Sequence, residues 1–585
     1  MTFGIDFGTS NSVVAHWNGH TTEVLPVDGD NVPAQWRMSE FEQLFPSVLS
    51  VRDLQRTLCF GWEAKTGTSE PLDAVKRMLG TRSGADNDDV DGFEVAAQLE
   101  EHHVWVGSEK FHSTVAAASL FSRMKEGVSA QLLDLSDAVV TVPANATGGA
   151  RYRTRAAAAL GGVKVRALLN EPTAAAISYA RDVPIPGRFL VFDWGGGTID
   201  VTVLEYDDGL FEEQTSRGIT ALGGLEFDNA LAGLIQEKIG LTADLLTKAE
   251  RRRWRRSVEL TKIALSSVPM DGALFFDLPV GLAPSISRHE VRVTAAEYTQ
   301  AITPLITRAL EPVQQALEDL AITADDVDSV LMIGGTSQIP QVRHALGEIL
   351  GHDRIVDSGL CRPMTAVARG AAIYAASLDG ELGDDSDFSL VTSYDLGTAV
   401  SAGEQKGFRA IIRRNATLPA EGSATFYPDT PRASSVRVPV IEGEVGYPAD
   451  SDRAFPLANI EVDLPTREQD TRRNKIEIKF RYNESGILRF TATHAATGKQ
   501  LVEREIDSFG PDGTPLQHGL DDELTRLLAH TVRPFADGSS NVRHLSAAES
   551  ANARPAPIDM SVRVVEADPA VTVNGEPQGV VTKGL

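Results

Sequence analysis

The sequence predicts a two-lobed α/β domain, then an antiparallel β domain, then a short irregular C-terminal region. Three observations carry that expectation. Residues 3–17 (FGIDFGTSNSVVAHW) and 189–206 (FLVFDWGGGTIDVTVLEY) repeat one unit: an apolar strand ending in Asp, a glycine-rich turn and a β-branched strand. Apolar runs closing on turn residues follow, DAVVTVPA (137–144) and DSVLMIGG (328–335), the pattern of parallel strands buried on both faces. From residue 390 the pattern changes to short alternating runs bounded by Asn, Gly and Pro, which is the signature of antiparallel strands.

Each element follows from its own pattern. The two strand–turn–strand units are hairpin signals. They lie about 190 residues apart, too far for a solenoid period, so they read as a duplication that builds two lobes around a shared cleft. Between Glu226 and Ser267 the period is helical, and RRRWRR (251–256) inside it is expected to be a solvated face. DGELGDDSDFS (379–389) is acidic and glycine-containing, which predicts a linker. SVRVPVIEGE (435–444), KIEIKFRYNESGILRFTAT (475–493) and KQLVEREI (499–506) alternate as strands of a β domain. In the last stretch, rich in Pro, Gly, Ser and Asp, LDDELTRLLAHTV (520–532) is amphipathic, and SVRVVEADPAVTVNGEP (561–577) alternates around an Asn-Gly turn. The expected organisation is therefore 1–378, a linker at 379–389, a β domain at 390–506 and a C-terminal region at 507–585.

Composition narrows the classes. The chain has 585 residues, 42% hydrophobic and 23% charged, which fits a globular protein and excludes disordered or collagen-like chains. A formal net charge of −26 argues against a nucleic-acid surface. Two cysteines, Cys59 and Cys361, cannot staple a chain of this length, so a reducing compartment is expected. The N-terminus shows no basic region followed by an apolar stretch, and no apolar run approaches the roughly 20 residues that span a bilayer. A cytoplasmic location without membrane or nucleic-acid partners is the expectation.

The chemistry lies in the two hairpin turns. Gly8 and Thr9 in the first, and Gly195, Gly196 and Gly197 in the second, leave backbone N–H groups open to a ligand, and such successive donors form an anion-binding concavity suited to a polyphosphate. Asp6 and Asp193 each end a strand facing it. Two carboxylates beside phosphates suit Mg²⁺, which keeps waters and borrows phosphate oxygens. Either turn alone could be no more than a tight turn; the matched pair points to a nucleotide.

These residues resemble the DnaK-type seventy-kilodalton heat-shock chaperones. IDFGTSNSVV (5–14) is similar to the family's first phosphate loop, and VFDWGGGTIDVTVLE (191–205) to its second, with LGGLEFDN (222–229) the turn that follows. VVTVPA (139–144) and NEPTAAAISYA (170–180) resemble its first connecting segment, LMIGGTSQIP (331–340) its adenosine motif and AVARGAAIYAA (366–376) its second connecting segment. The resemblance covers roughly residues 1–506. It implies an actin-like ATPase domain followed by a β-sandwich that binds extended apolar peptides, with ATP/ADP and Mg²⁺ as ligands and K⁺ as an optional further ion. It also implies unfolded client peptides, a J-domain cochaperone and a nucleotide exchange factor as partners.

By the same resemblance, Asp6 and Asp193 hold Mg²⁺ through waters, and Thr9, Ser10 and Thr198 lie at the phosphates. Lys76, in DAVKRMLG, matches the catalytic lysine, and Glu171 the carboxylate that helps place the attacking water. Gly223 and Gly224 flank the nucleotide. Glu259 and Lys262 reach the ribose, Ser266 the adenine, and Gly334 and Gly335 admit the base. Pro143 and Arg151 match the interdomain relay, and Val400, Phe426, Val436 and Val438 line the peptide groove. Each has a plainer reading: Lys76 as a surface lysine, Glu171 as a carboxylate at a helix N-terminus, Glu259 and Lys262 as an exposed helical pair, the β-domain valines as sandwich core.

Departures cluster. Gln338 stands at an arginine position of the adenosine motif, and Met364 replaces an acidic residue. Asn145, Ala146, Thr147 and Gly148 replace an aromatic pair and Asn-Asp. Ala167 replaces an arginine, although Arg166 adjoins it, and Asp387–Leu390 replaces a leucine-rich linker. The changes at 145–148, 167 and 387–390 fall where cochaperone and linker dock in the family, whereas Gln338 and Met364 are expected to weaken or retune nucleotide affinity. Residues 507–585 do not resemble the family's helical lid, so a lidless or short-lidded groove is expected, with SVRVVEADPAVTV as a candidate occupant of the protein's own groove. Two other readings remain open: a nucleotide-binding regulator or assembly protein with negligible hydrolysis, and a metabolite kinase of the actin superfamily.

Overall fold

The computed structural model describes residues 2–37, 41–52, 57–67, 69, 71–80, 103–106, 109–144, 146, 148–207, 209–240, 246–277, 290–382, 392, 394–402, 405–414, 416–428, 430–443, 454–483, 488–506, 519–529 and 563–565. The linker residues 383–389, Asn145 and Thr147, and most of the C-terminal region lie outside the described residues.

Both duplicated units fold as hairpins extended by parallel strands. In the first lobe Thr2–Asp6 pairs antiparallel with Asn11–Trp17, bringing Asp6 opposite Val13. On its other side it runs parallel to Asp137–Val142, with Gly4 opposite Val139. Lys164–Asn170, Thr22–Leu25 and Phe45–Pro46 complete a six-stranded sheet. In the second lobe Gly187–Trp194 pairs antiparallel with Thr198–Asp207 and parallel with Ser329–Ile333, so Asp193 lies between Asp200 and Ile333. The near-continuous burial of Asp137–Val142 and Ser329–Ile333 explains why they read as unbroken apolar runs.

Two alanine-rich helices, Glu171–Asp182 and Ala366–Leu378, join the lobes. Small side chains let them cross closely: a Cβ on Gly370 would strike the Ala174 carbonyl. Val139 and Leu169 of one sheet and Phe189, Val191 and Leu331 of the other bury into one cluster with these helices. The Glu171 end of the first helix is thereby anchored to both sheets.

The β region consists of two antiparallel four-stranded sheets. One is ordered Gln405–Ile412, Asp395–Ala402, Ser435–Gly443, Ala454–Asp463; the other Ala420–Phe426, Ile476–Tyr482, Leu488–His494, Lys499–Glu505. Strict alternation in Ile476–Tyr482 turns Ile476, Ile478 and Phe480 inward. Leu396, Val440 and Val462 of the first sheet meet Phe480 and Phe490 of the second in a shared core, the arrangement of a sandwich.

Among the described residues, two pieces of the C-terminal region pack against the N-terminal lobes. The amphipathic Leu520–Leu528 helix buries Leu524 and Leu527 in the first lobe's core. The His112 N–H donates to Glu523 Oε2 at 3.0 Å, and the Arg526 guanidinium lies 5.0 Å from the Phe111 ring centre. Leu527→Ala is expected to weaken this docking by roughly 2–3 kcal/mol. Hydrogen exchange should then rise selectively at 520–528; unchanged protection there would contradict the packing.

Of SVRVVEADPAVTV (561–573), the expected occupant of the β-domain groove, only Arg563–Val565 lies among the described residues, and these three do not pair with the sandwich. Arg563–Val565 instead adds antiparallel to the edge strand Ala273–Asp277, with Phe275 opposite Arg563. An open edge offers a full row of backbone donors and acceptors to a strand of any sequence, so local alternation did not specify the site. The solvated reading of RRRWRR also needs correction. Trp254 is buried, its ring edge-on to Phe276 at 5.3 Å, and Arg256 is half-buried; of the six residues only Arg255 is exposed. No helix among the described residues is long and apolar enough to cross a membrane.

Candidate active site

The site forms where the two hairpin turns face each other. Gly196 is required by close approach: a Cβ there would run into the Ser10 hydroxyl of the opposite lobe. Gly197 meets Thr9, and Gly195 faces open space. The second turn is braced from behind. The Gly224 and Leu225 N–H groups donate to the Gly195 and Gly196 carbonyls at 3.1 and 3.0 Å, and the Thr336 hydroxyl donates to the Gly195 carbonyl at 2.8 Å. The Glu226 carboxylate accepts from the Gly223 N–H and fixes the helix that starts there. Thr198 opens the strand leaving the turn.

Beneath the turns, acidic groups outnumber basic ones. Lys76, on the short helix Val75–Gly80, donates to the Glu171 carboxylate, the first residue of Glu171–Asp182. Burial pushes the Asp6 carboxyl up to about 7, with Glu171 adding to the effect and Lys76 and the Thr141 hydroxyl opposing it. Burial, then Glu171, Asp200 and Asp6, raise Asp193 well above the usual carboxylate range. Burial would lower the Lys76 ammonium, but Glu171 and Asp6 outweigh it and hold it above its ordinary value. One ammonium among four carboxylates in a desolvated place leaves negative charge uncompensated. That donor set fits a hard divalent cation, which takes oxygen ligands and relieves the repulsion. It does not fit a naked polyphosphate.

Arg77, adjoining Lys76, was not singled out by the sequence. Its guanidinium donates to the Gly197 carbonyl across the cleft and lies 4.0 Å from Glu226. Adjacency in a six-residue helix gives no pattern from which that reach could be read.

The residues expected around the nucleoside have partners of their own. Glu259 pairs with Lys65 at 2.8 Å, and Lys262 with Asp228 at 2.8 Å and the Gly224 carbonyl at 3.0 Å. They are therefore half-buried and engaged separately, not an exposed pair. The Ser266 hydroxyl donates to the Lys262 carbonyl one turn back. Lys65 belongs to the opposite lobe, its ammonium 4.6 Å from the Trp36 ring centre. Trp36, Trp62 and Leu260 pack beside it, so the Lys65–Glu259 pair clasps the outer end of the cleft. Lys65→Ala is expected to speed release of bound nucleotide about tenfold, the equivalent of roughly 1.4 kcal/mol. Stopped-flow release of a fluorescent ADP checks it, and an unchanged rate would remove the clasp from the account.

Gly334 takes a φ of +80°, and a Cβ on it would lie 2.6 Å from the Trp194 carbonyl and 2.9 Å from Asp193 Oδ1. Only glycine lets this turn approach the strand end that carries Asp193. Gly335 lies against the Met364 thioether, and Gln338 is tied to its own loop through Ser337 at 2.9 Å.

A polar chain leads from this site to the β region. Arg151 donates to Asn170 Oδ1 at 2.7 Å, Asn170 donates to both Glu213 oxygens at 2.8 and 2.9 Å, and Thr173 donates to Glu213. Asn170 directly precedes Glu171. In the other direction, burial raises the Glu442 carboxyl and the Arg151 charge opposes it, while the Tyr482 hydroxyl donates to Glu442 at 3.1 Å. The Tyr394 hydroxyl donates to the Ala144 and Ala146 carbonyls at 3.3 and 3.0 Å, and the Ala146 N–H donates to the Pro143 carbonyl at 3.0 Å. Arg166 holds Asp379, at the start of the linker, through two nitrogens. Tyr394, Glu442 and Glu213 were missed because their partners lie far away in sequence.

Three of the four expected groove residues meet in the sandwich cluster. Val438 is buried in the sandwich core, Phe426 and Val436 pack at its margin from opposite sheets, and Val400 is half-exposed opposite Gly407.

Comparison with known proteins decides the lineage. The family model described as "Hsp70 protein" matches residues 2–510. The chain is 30% identical over 510 residues to "Chaperone protein DnaK" of Methanothermobacter thermautotrophicus, covering 85% of this chain and 78% of that protein. It is 32% identical over 551 residues to "Heat shock protein SSC3, mitochondrial" of Saccharomyces cerevisiae, covering 91% of this chain and 79% of that protein. The chain belongs to the Hsp70 family. As a member of it, the chain carries an actin-like ATPase domain and a β-sandwich.

Proposed function

We propose that this Hsp70-family chain is an ATP-dependent chaperone in which Lys76, Glu171, Asp193 and Thr198 perform hydrolysis and the β-sandwich holds extended apolar peptides. The observation that carries this reading is the Lys76–Glu171 pair lying with Asp6 and Asp193 under two apposed glycine turns. Asp6 and Asp193 are the proposed Mg²⁺ holders, and the ion, when bound there, would neutralise phosphate charge. Lys76 supplies a fixed positive charge where negative charge develops on the transferring phosphoryl group. Glu171, oriented by that ammonium, accepts from the attacking water. The turn N–H groups and the Thr9, Ser10 and Thr198 hydroxyls hold the phosphates in place. No covalent intermediate is needed, because phosphoryl transfer is mostly positioning and charge stabilisation.

In this reading residues 1–378 form the ATPase unit and 390–506 the peptide-binding unit, and Arg151 couples them through Asn170 on one side and Glu442 on the other. A J-domain cochaperone and an exchange factor are the proposed regulators. The burial of Cys59 and Cys361 in different clusters agrees with a cytoplasmic, reducing location. The test is ATP turnover by the full chain with and without extended apolar peptides. Peptide should stimulate turnover, and Arg151→Ala should abolish the stimulation while leaving the basal rate within about twofold; coupling between sites is typically worth 1–3 kcal/mol. Turnover at background with and without peptide would favour the nucleotide-binding regulator with negligible hydrolysis.

A further inference from the structure

His344, Glu348 and His352 converge on the outer surface of the second lobe, far along the chain from the hydrolytic residues. One ligand atom from each lies within 4.8 Å of the other two. The first two belong to the helix Pro340–Leu350, one turn apart, and His352 follows it in the next turn. This spacing places all three on one face. His352 Nε2 lies 3.0 Å from Glu348 Oε1, and the two imidazoles stack with centres 5.4 Å apart and planes at 22°.

The cluster is built. Gly347 is the residue over which the His352 ring lies, and a Cβ there would collide with the ring. The turn that carries His352 is fixed as well. Arg354 donates to the Leu350 carbonyl at 2.8 Å and pairs with Asp325 at 2.7 Å, and Ile355 bridges to Val330 in the central sheet. The gathering of three ligands, which normally opposes metal binding through lost side-chain freedom, is largely completed by the fold.

The geometry points to a surface site for a late first-row divalent cation, Zn²⁺ foremost, held by His344, Glu348 and His352. Two imidazoles and one carboxylate are the donors of that class; Mg²⁺ and Ca²⁺ take oxygen-rich sets instead. Three protein ligands leave a fourth tetrahedral position for water. The bound ion ties the end of the helix to the following turn. The site is independent of the hydrolytic reading and stands or falls on its own.

Isothermal titration of the untagged, nucleotide-free full chain with Zn²⁺, and separately with Mg²⁺, tests it. The wild-type chain should bind one more equivalent of Zn²⁺ than the His344→Ala, His352→Ala double variant. Glu348→Gln should weaken that equivalent at least tenfold. Zn²⁺ should also raise the melting temperature of the wild-type chain and not that of the double variant. All three residues are exposed, so the variants should fold. Equal Zn²⁺ stoichiometry and melting shift in wild type and double variant would overturn the site, as would Mg²⁺ binding there as tightly as Zn²⁺.

Discussion

Lys76→Ala should reduce ATP turnover by about 10²–10³-fold, the usual loss when one preorganised charge is removed from a transition state. Nucleotide affinity should change much less, because the glycine turns, the hydroxyls and the Lys262–Asp228 region are untouched. The expected signature is therefore a fall in kcat with little change in KM. Single-turnover hydrolysis and equilibrium nucleotide binding, measured on the same protein, separate the two. The lysine has a second effect in this site. It opposes the burial and carboxylate repulsion that together raise Asp6 and Asp193. Glu171→Gln isolates the water-placing role: it keeps the shape, removes one negative charge, and should lower kcat without weakening binding. If Lys76→Ala hydrolyses ATP at the wild-type rate, the assignment of the site fails, whatever the family.

Gly370→Ala should destabilise the protein by about 3 kcal/mol or more. The helix Ala366–Leu378 crosses Glu171–Asp182 so closely that a methyl at 370 would strike the Ala174 carbonyl. Backbone cannot move aside as a flexible side-chain end can, so the helices must separate. Separation opens the shared core and shifts the helix whose first residue is Glu171. A drop in the urea midpoint and a loss of ATPase activity should appear together. Gly233→Ala is the matched control, since a Cβ there meets nothing within 4 Å. Equal midpoints for the two alanine variants would show that the crossing is looser than described.

Much of the fold was legible in local pattern. The hairpins at Asp6 and Asp193, the parallel strands at 137–142 and 329–333, and the alternating strands of the sandwich all formed where period and turn residues placed them. The glycine turns and the matched Asp positions that carry the proposed phosphate site were legible for the same reason: their chemistry is carried by adjacent residues. Other parts depend on contacts distant in sequence. Arg77 reaches Gly197 and Lys65 reaches Glu259 across the cleft, and Arg151 faces Glu442 from a different domain. None of these has a local signature. Trp254 looked like part of a basic face because a six-residue window cannot show that one side chain turns into a core.

The C-terminal region draws the same line most clearly. Sequence alone determined that Leu520–Leu528 would be amphipathic and that 561–577 would favour strand, because helix and strand periods are written in neighbouring residues. Only the tertiary structure decided that the helix seats on the first lobe and that Arg563–Val565 joins the edge of Ala273–Asp277 rather than the sandwich groove. An apolar face or an unpaired strand specifies that it must be covered. What covers it is settled by whichever complementary surface the rest of the chain brings within reach.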